Sequence, residues 1–219
     1  MNMVLRLSII LILICFIGCK QDKKYHDDIS KKVRVSQVKG LQDILDFQAE
    51  KNEEFKNPET SPLPDRYRKD FERLDFFLPD TNYVVRAKFV RTPNAVPFQM
   101  PTTTDRKTTE VVYAIAHFNL NGQKHQLEVY QNKELMLDEG YEDYLFLPFT
   151  DLTNDEETYG GGRYIDLKIP AEDFIIIDFN RAYNPSCAYN KKYSCPIVPK
   201  VNHLKTKVFA GVKAFDKGY

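Results

Sequence analysis

The stretch Glu110–Asn132, EVVYAIAHFNLNGQKHQLEVYQN, decides the fold. Two runs of alternating apolar and polar residues flank Asn121-Gly122, the dipeptide that is favoured in a two-residue type I′ turn. Such a turn sets the register of a β-hairpin. The predicted pairs are Phe118 with His125, Ala116 with Leu127 and Ala114 with Val129 on one face, and His117 with Gln126, Ile115 with Glu128 and Tyr113 with Tyr130 on the other.

Further strand patterns recur along the chain, with no helical pattern between them. The unbroken apolar centre of DFIIIDFN (173–180) predicts a strand that is buried on both faces. In RYIDLKI (163–169), alternation places Arg163 and Asp166 on opposite faces of the sheet. The other predicted strands are NYVVRAKFVRT (82–92), DYLFLPF (143–149) and a terminal strand in KVFAGVKAF (207–215).

One helical pattern precedes these strands. From Val38, the apolar residues Leu41, Ile44, Leu45 and Phe47 recur at intervals of three or four, which predicts an amphipathic helix. The chain is therefore predicted to be mainly β, in the α+β class. We expect an antiparallel sheet, sandwich or partly open barrel with an N-terminal helix packed on it.

The N-terminus resembles a secretion signal. A short segment with one positive charge precedes the apolar residues LSIILILICFIG (7–18), and Gly18 before Cys19 resembles a lipobox, although Phe16 stands where Leu is usual. We predict a lipoprotein signal peptide over residues 1–18, lipid attachment at Cys19, a tether over residues 19–36 and a single globular domain over residues 37–219. A plain signal peptide or an uncleaved anchor is the alternative. The predicted location is the bacterial cell envelope, on the periplasmic or cell-surface face of a membrane.

Charge and motifs argue against several classes of function. Lys plus Arg and Asp plus Glu both number 31, and this balance argues against a nucleic-acid-binding protein. The sequence contains no G-x-S-x-G, H-E-x-x-H, Walker or dinucleotide-binding motif, so common hydrolases and nucleotide enzymes are not indicated. We predict no cofactor.

The densest motifs lie in the last third of the chain: LFLPFTDLT (145–153), ETYGGGRYIDL (157–167), DFNRAYNPSCAYN (178–190), YSCPIVPKVNHL (193–204) and FAGVKAF (209–215). Together they resemble the bacterial domain-of-unknown-function family 1684, which is often found on envelope lipoproteins. The resemblance covers approximately residues 48–215. It implies a shared fold and supplies no mechanism. Asn154-Asp155 departs from the family, in which a small residue or Gly is common in that turn.

The glycines Gly160-Gly161-Gly162 have two interpretations. They could form a tight corner or a bulge between strands, where the absence of Cβ atoms admits a neighbour. They could instead let the backbone approach a ligand, with Arg163 binding an anionic group. No Lys-Ser/Thr and no helix follow them, which excludes a P-loop.

Beyond the signal and the lipid-bearing Cys19, two cysteines remain in the folded part, Cys187 and Cys195. In an oxidising envelope compartment they indicate a disulfide. The alternatives are free thiols or a metal site with His203, but the spacing C-x7-C-x7-H matches no standard zinc pattern, and we predict no metal site.

The leading functional hypothesis is a membrane-anchored binding or accessory module for a small polar or anionic ligand. The candidate ligand-binding residues are Tyr159, Gly161, Gly162, Arg163, Tyr164, Asp178, Asn180, Tyr183 and Asn184. The first alternative is a hydrolase-like enzyme that uses Asp/Glu with Arg163 and Asn180. It requires at least two side chains among Asp151, Glu157, Asp166, Asp178 and His203 to converge in one pocket. The second alternative is a structural subunit of an envelope complex.

Overall fold

A computed structural model describes the backbone of residues 23–215 and the side chains of residues 39–215. Helix α1 spans Lys23–Lys56, and so begins within the segment that was predicted to be a tether; the short helix α2 spans Asp65–Arg68. The chain divides into two compact units after Gly40, and the second unit contains the sheet. No helix in residues 23–215 is long and apolar enough to cross a membrane. Cys19 and the predicted signal peptide lie outside the described residues.

Seven strands of the described chain form one antiparallel sheet, which curls into half a barrel. The strands are β1 (Val84–Arg91), β2 (Phe98–Pro101), β3 (Lys107–Leu120), β4 (Gln123–Asn132), β5 (Tyr144–Phe149), β6 (Arg163–Lys168) and β7 (Phe174–Asp178). Their order across the sheet is β6-β5-β4-β3-β1-β7, and β2 pairs with β3. The predicted fold class is confirmed.

The β3–β4 hairpin has the predicted turn and, near the turn, the predicted register. Asn121 and Gly122 have φ values of 52° and 75°, as a type I′ turn requires. Every predicted pair is observed except that of Tyr113 with Tyr130. A β-bulge between Val112 and Ala114 leaves Tyr113 as an extra residue, so Tyr130 pairs with Val112.

The bulge changes which face of the sheet the residues of β3 occupy. Ala114 and Ala116 lie in the main core with Val129 of β4. Val112 has the same parity as these alanines, yet it packs with Tyr130 in a second cluster. The extra residue reverses the alternation, so the two ends of β3 serve opposite faces of the sheet.

The main core covers the first face of the sheet, and two smaller clusters complete the packing. On the second face, Met100, Tyr130, Phe146, Tyr164 and Val198 pack together. Helix α1 buries Ile44, Phe47 and Phe55, and Phe55 meets the ring of Tyr189 edge to face at 4.8 Å. These contacts confirm the predicted packing of the N-terminal helix.

Two strand predictions are wrong. β7 is an edge strand that pairs with β1 alone, so Ile175 and Ile177 are buried whereas Ile176 is 48% exposed. An apolar run therefore indicated burial on two faces where only one is covered. Residues 207–215 form no strand. Their one β-type pairing is an isolated bridge between Val212 and Phe76. Carbonyl groups of this segment are instead acceptors for a buried arginine, as shown below.

Candidate functional site

A cavity of about 540 Å³ opens on the second face of the sheet, and we call it the aromatic cleft. Its aromatic wall consists of Tyr144 and Phe146 on β5, Tyr164 on β6, and Tyr183 in the segment that follows β7. The rings of Phe146 and Tyr164 meet edge to face at 4.7 Å, and those of Tyr164 and Tyr183 at 5.9 Å. Residues from strands far apart in sequence therefore build one continuous aromatic surface.

The rest of the lining of the aromatic cleft is largely polar. Glu110 and Thr108 come from β3, and Asn132 comes from the end of β4. The turn after β4 adds Glu134 and Asp138, and Arg106 precedes β3. The cleft therefore has three carboxyl groups and one guanidinium among its lining side chains.

Glu110 is the most unusual of these groups. Its side chain is buried, with the residue only 3% exposed. Asn132 Nδ2 donates a hydrogen bond of 2.6 Å to Oε1, whereas Oε2 and the nearby Thr108 Oγ1 form no hydrogen bond of ordinary geometry within the described residues. Burial raises the pKa of Glu110, and the side chains of Asn132 and Thr108 only partly offset this. A buried polar atom without a partner is costly, so it indicates a missing partner.

The tyrosine hydroxyl groups of the cleft already donate to protein acceptors. Tyr144 and Tyr183 both donate to Asp166 Oδ1, at 2.8 Å and 2.6 Å. Tyr164 donates to the carbonyl oxygen of Pro196. Burial raises the pKa of Tyr144, Tyr164 and Tyr183, so all three phenols stay neutral near pH 7. These bonds hold the rings in place and leave their oxygen lone pairs as acceptors.

The segment 183–196 forms the last wall of the cleft and is hydrogen-bonded to the loop between β2 and β3. Arg106 donates from Nε to Ser194 Oγ at 3.1 Å and from Nη2 to the Ser194 carbonyl at 2.7 Å. The backbone N–H of Cys195 donates to Thr103 Oγ1 at 3.1 Å. These contacts hold the wall against the sheet without a covalent link.

The three glycines form a structural corner before β6. Gly162 has φ +88°, and a Cβ atom there would lie 2.6 Å from the carbonyl oxygen of Phe149. A Cβ atom on Gly161 would lie 2.4 Å from the ring of Tyr159. Close approach of the protein to itself therefore accounts for both glycines.

Arg163, which follows the glycines, is fully buried in the core. Its Nη2 donates to Asp151 Oδ2 at 2.8 Å and to the carbonyl of Val208 at 3.0 Å, and Nη1 donates to the carbonyl of Ala210. Burial lowers the pKa of Arg163, while the Asp151 carboxylate raises it. The guanidinium thus holds the C-terminal segment, and it faces away from the aromatic cleft because β6 alternates.

The other predicted binding residues divide between the cleft and the scaffold. Tyr164 and Tyr183 line the aromatic cleft. Asp178 caps a 3-10 turn by accepting from the backbone of Asn180, and the Asn180 side chain bonds both backbone groups of Asp80. Asn184 donates to the carbonyl of Lys213. Tyr159 lies outside the cleft lining, beside Gly161.

The carboxylates of the hydrolase hypothesis occupy separate places. Asp151 is paired with Arg163 in the core, and Asp166 accepts from two tyrosines at the edge of the sheet. Glu157 contacts Lys207, and His203 Nδ1 contacts Thr150 Oγ1 at 3.0 Å. With Asp178 in its turn, no two of the five share a cavity among those found in the described residues. Within the same residues, no group of three His, Cys, Asp or Glu side chains could hold a metal ion.

Cys187 and Cys195 are neighbouring free thiols, so the predicted disulfide is not formed in this structure. The backbone N–H of Cys187 donates to Cys195 Sγ at 3.1 Å. Hydrogen bonds from the Cys195 thiol and the Tyr159 hydroxyl lower the pKa of Cys187 to about 6, against the effect of burial. The hydrogen bond to Cys187 raises the pKa of Cys195, which lines the aromatic cleft.

The sequence analysis missed the polar half of the cleft, above all Glu110 and Asn132. They are directly paired across β3 and β4, at the open end of the hairpin. The available signal was a charged residue directly before the apolar run of β3, with an asparagine opposite it on β4. Strict alternation, however, assigns Glu110 to the face that Ala114 occupies, and only the bulge moves it to the second face.

Comparison with known proteins bears on the fold and on the family. The model of a family described as "Protein of unknown function (DUF1684)" matches residues 69–213. The solution NMR structure of the uncharacterized protein from gene locus rrnAC0354 of Haloarcula marismortui is similar, with 30% identity and a TM-score of 0.62. The match covers 90% of this chain and 100% of that one. No curated protein matches the chain.

Proposed function

Because this chain belongs to the DUF1684 family of proteins of unknown function, we propose a function from its own geometry: it is a lipid-anchored envelope protein that binds a small polar ligand in the aromatic cleft. The anchor is the group of acyl chains attached to Cys19, which the lipobox-like sequence suggests. The ligand site is the cavity between the tyrosines of β5 and β6 and the carboxyl groups around β3. Tyr164 and Tyr183 are the two residues that this proposal retains from the predicted binding set.

The observation that carries the proposal is Glu110. A buried carboxyl oxygen without a hydrogen bond is unfavourable, and a bound polar group would supply that bond. The aromatic wall of the cleft would bury the apolar part of the same molecule. Ligand sites commonly combine such apolar walls with a few placed polar groups in cavities of roughly 300–1,000 Å³.

Blocking the cleft tests this proposal. Leu135 lines the cavity from the turn after β4, whereas Leu137 in the same 3-10 turn is 79% exposed and does not. We expect Leu135→Trp to abolish the rise in melting temperature that a bound ligand gives, in a screen of small polar molecules against the full-length protein. Leu137→Trp is the matched control and should keep the rise. The melting temperature without ligand shows whether each variant is folded. A ligand that stabilises wild type and Leu135→Trp equally would place binding elsewhere.

The alternatives have less support. The hydrolase hypothesis needed two of its five side chains in one pocket, and the described residues place them apart. The structural-subunit hypothesis stays a prediction. Its support is a second cavity of about 1040 Å³, bordered by the exposed apolar residues Leu45, Leu78 and Phe209. Exposed apolar surface of this kind is common at protein contacts.

A further inference from the structure

We infer that the ligand of the aromatic cleft carries an organic cation, of the protonated-amine class. This inference rests on the proposed function, since it assigns a ligand chemistry to the same cavity. Three properties of the lining residues support it: the hydrogen-bonding groups that are still available, the balance of charge, and the aromatic wall.

The available hydrogen-bonding groups are mostly acceptors. The hydroxyl groups of Tyr144, Tyr164 and Tyr183 already donate hydrogen bonds, to Asp166 and to a backbone carbonyl. Asn132 Oδ1 accepts from two backbone N–H groups and its Nδ2 donates to Glu110. The lining therefore offers the carboxylate oxygens of Glu110, Glu134 and Asp138 and phenol lone pairs, with the Thr108 hydroxyl as one unpaired donor. Such a set selects a ligand that donates N–H bonds.

The remaining carboxylates of the lining are not neutralised within the cleft. Glu134 accepts one neutral hydrogen bond, from Thr109 Oγ1 at 3.1 Å, and Asp138 is exposed at the cavity edge. Arg106 is the one cationic side chain of the lining, and its guanidinium is bound to Ser194. An anionic ligand would meet this excess of carboxylates, whereas an ammonium group would be attracted by it.

The aromatic wall favours the same charge. Tyrosine and phenylalanine rings carry negative charge on their faces and attract ammonium groups within about 6 Å of a ring centre. Four such rings line the same cleft as the carboxyl groups. A ligand of moderate size can therefore place its ammonium group at Glu110 and its carbon skeleton along the rings.

The inference predicts that binding is coupled to release of a proton. Glu110 faces Glu134, Asp138, Arg106, Tyr130 and Tyr144 from the surrounding elements, and the phenols are neutral over about pH 5 to about pH 8. Because burial raises its pKa, Glu110 keeps its proton to a higher pH in the free protein than an exposed carboxyl group does. A cation stabilises the carboxylate and displaces that proton. Affinity for the cation should therefore rise with pH until Glu110 is fully ionised.

A matched set of probes tests the charge. Cyclohexylammonium, cyclohexanol and cyclohexanecarboxylate share one ring and differ in the charge of the head group. We expect the full-length protein to bind cyclohexylammonium at least about tenfold more tightly than cyclohexanol, because hydrogen bonds to charged groups are the stronger ones. The carboxylate should bind least. Isothermal titration calorimetry in two buffers of different ionisation enthalpy counts the protons released.

The variant Glu110→Gln tests the residue. It keeps the shape and the bond from Asn132, and we expect it to lose both the tenfold preference and the proton release while remaining folded. Glu139→Gln, on an exposed residue outside the cleft lining, is the control and should behave as wild type. Glu134→Gln should weaken the preference without removing the proton release.

Each outcome has a distinct meaning. Equal binding of the alcohol and the ammonium probe, or tighter binding of the carboxylate, overturns the cation inference and leaves the proposed ligand site standing. The same conclusion follows if glucose stabilises the protein, cyclohexylammonium does not, and Leu135→Trp abolishes the stabilisation by glucose. Absence of binding by every probe and by every molecule of the polar screen overturns both proposals. Proton release that persists in Glu110→Gln would assign the titrating group elsewhere and overturn the role of Glu110.

Discussion

The buried pair of Arg163 and Asp151 should be essential for stability and dispensable for ligand binding. The perturbation that shows this is Asp151→Asn, which retains the size of the side chain and removes its charge. In the wild type, Oδ2 accepts from Arg163 at 2.8 Å, while Oδ1 accepts from both Thr153 donors and from the backbone of Val208. An asparagine can preserve the Oδ1 contacts only by turning its NH₂ group toward the guanidinium.

The magnitude follows from burial. Both side chains of the pair are fully buried, so the substitution leaves an uncompensated positive charge in the core. Removing one partner of such a pair destabilises a protein by about 3–5 kcal/mol. For a domain of this size, each kcal/mol lowers the melting temperature by roughly 2–4 °C. We therefore expect Asp151→Asn to melt about 6–20 °C below wild type.

The assay is urea and thermal unfolding followed by circular dichroism, with Asp143→Asn as the matched control. Asp143 pairs with Lys168 at 3.4 Å, but both side chains are largely exposed, and such pairs contribute roughly 0.2–1 kcal/mol. A loss in Asp151→Asn no larger than in this control, with an unchanged dependence on urea, would refute the reasoning. Loss of ligand binding in a folded Asp151→Asn protein would contradict the assignment of Arg163 to the scaffold.

Three further predictions concern the cysteines. The hydrogen bond from Cys195 lowers the pKa of Cys187 to about 6, so Cys187 should react with iodoacetamide before Cys195 does. Its reaction rate should rise through about pH 6 and level off above it. Peptide mapping that finds Cys195 modified first would contradict this prediction. We still propose that the pair oxidises in the envelope, which intact-mass measurement without reductant would show as the loss of two hydrogen atoms, and an unchanged mass after mild oxidation would exclude it. Cys19→Ala should move the protein from the membrane fraction to the soluble fraction of a bacterial host, whereas retention in the membrane would favour an uncleaved anchor over a lipid.

Local patterns in the sequence predicted most of the sheet. Alternation identified β1, where Val85, Ala87 and Phe89 are buried, and the Asn121-Gly122 turn fixed the hairpin. These predictions depend on neighbours in sequence, which the period of a strand describes well. The errors arose where burial depends on distant elements. The apolar run of β7 could not reveal that the strand lies at an edge, and the segment 207–215 has a strand-like pattern but no strand to pair with.

The candidate site was only half predictable. Tyr164 and Tyr183 were proposed from the polar, tyrosine-rich motifs of the last third of the chain, and both line the aromatic cleft. Glu110 was not, because a single inserted residue, Tyr113, decides whether it faces the core or the cleft. A bulge of this kind leaves little trace in a pattern of apolar and polar residues, since the strand continues on both sides of it.

The density of motifs therefore marked the scaffold more than the site. Arg163, Gly162, Asp151 and Asn180 stand in the most distinctive motifs, and each is occupied by contacts that hold irregular segments to the sheet. Such residues have little freedom to vary, because a charge, a positive φ or a pair of backbone bonds must be met by one residue type. A binding group needs the opposite property: it must keep a polar atom that the fold does not satisfy. Nε of Arg163 also lacks a partner, but it lies in the core, whereas Glu110, in an unremarkable strand, lines the aromatic cleft and is therefore a better indication of function than the glycine-rich motif.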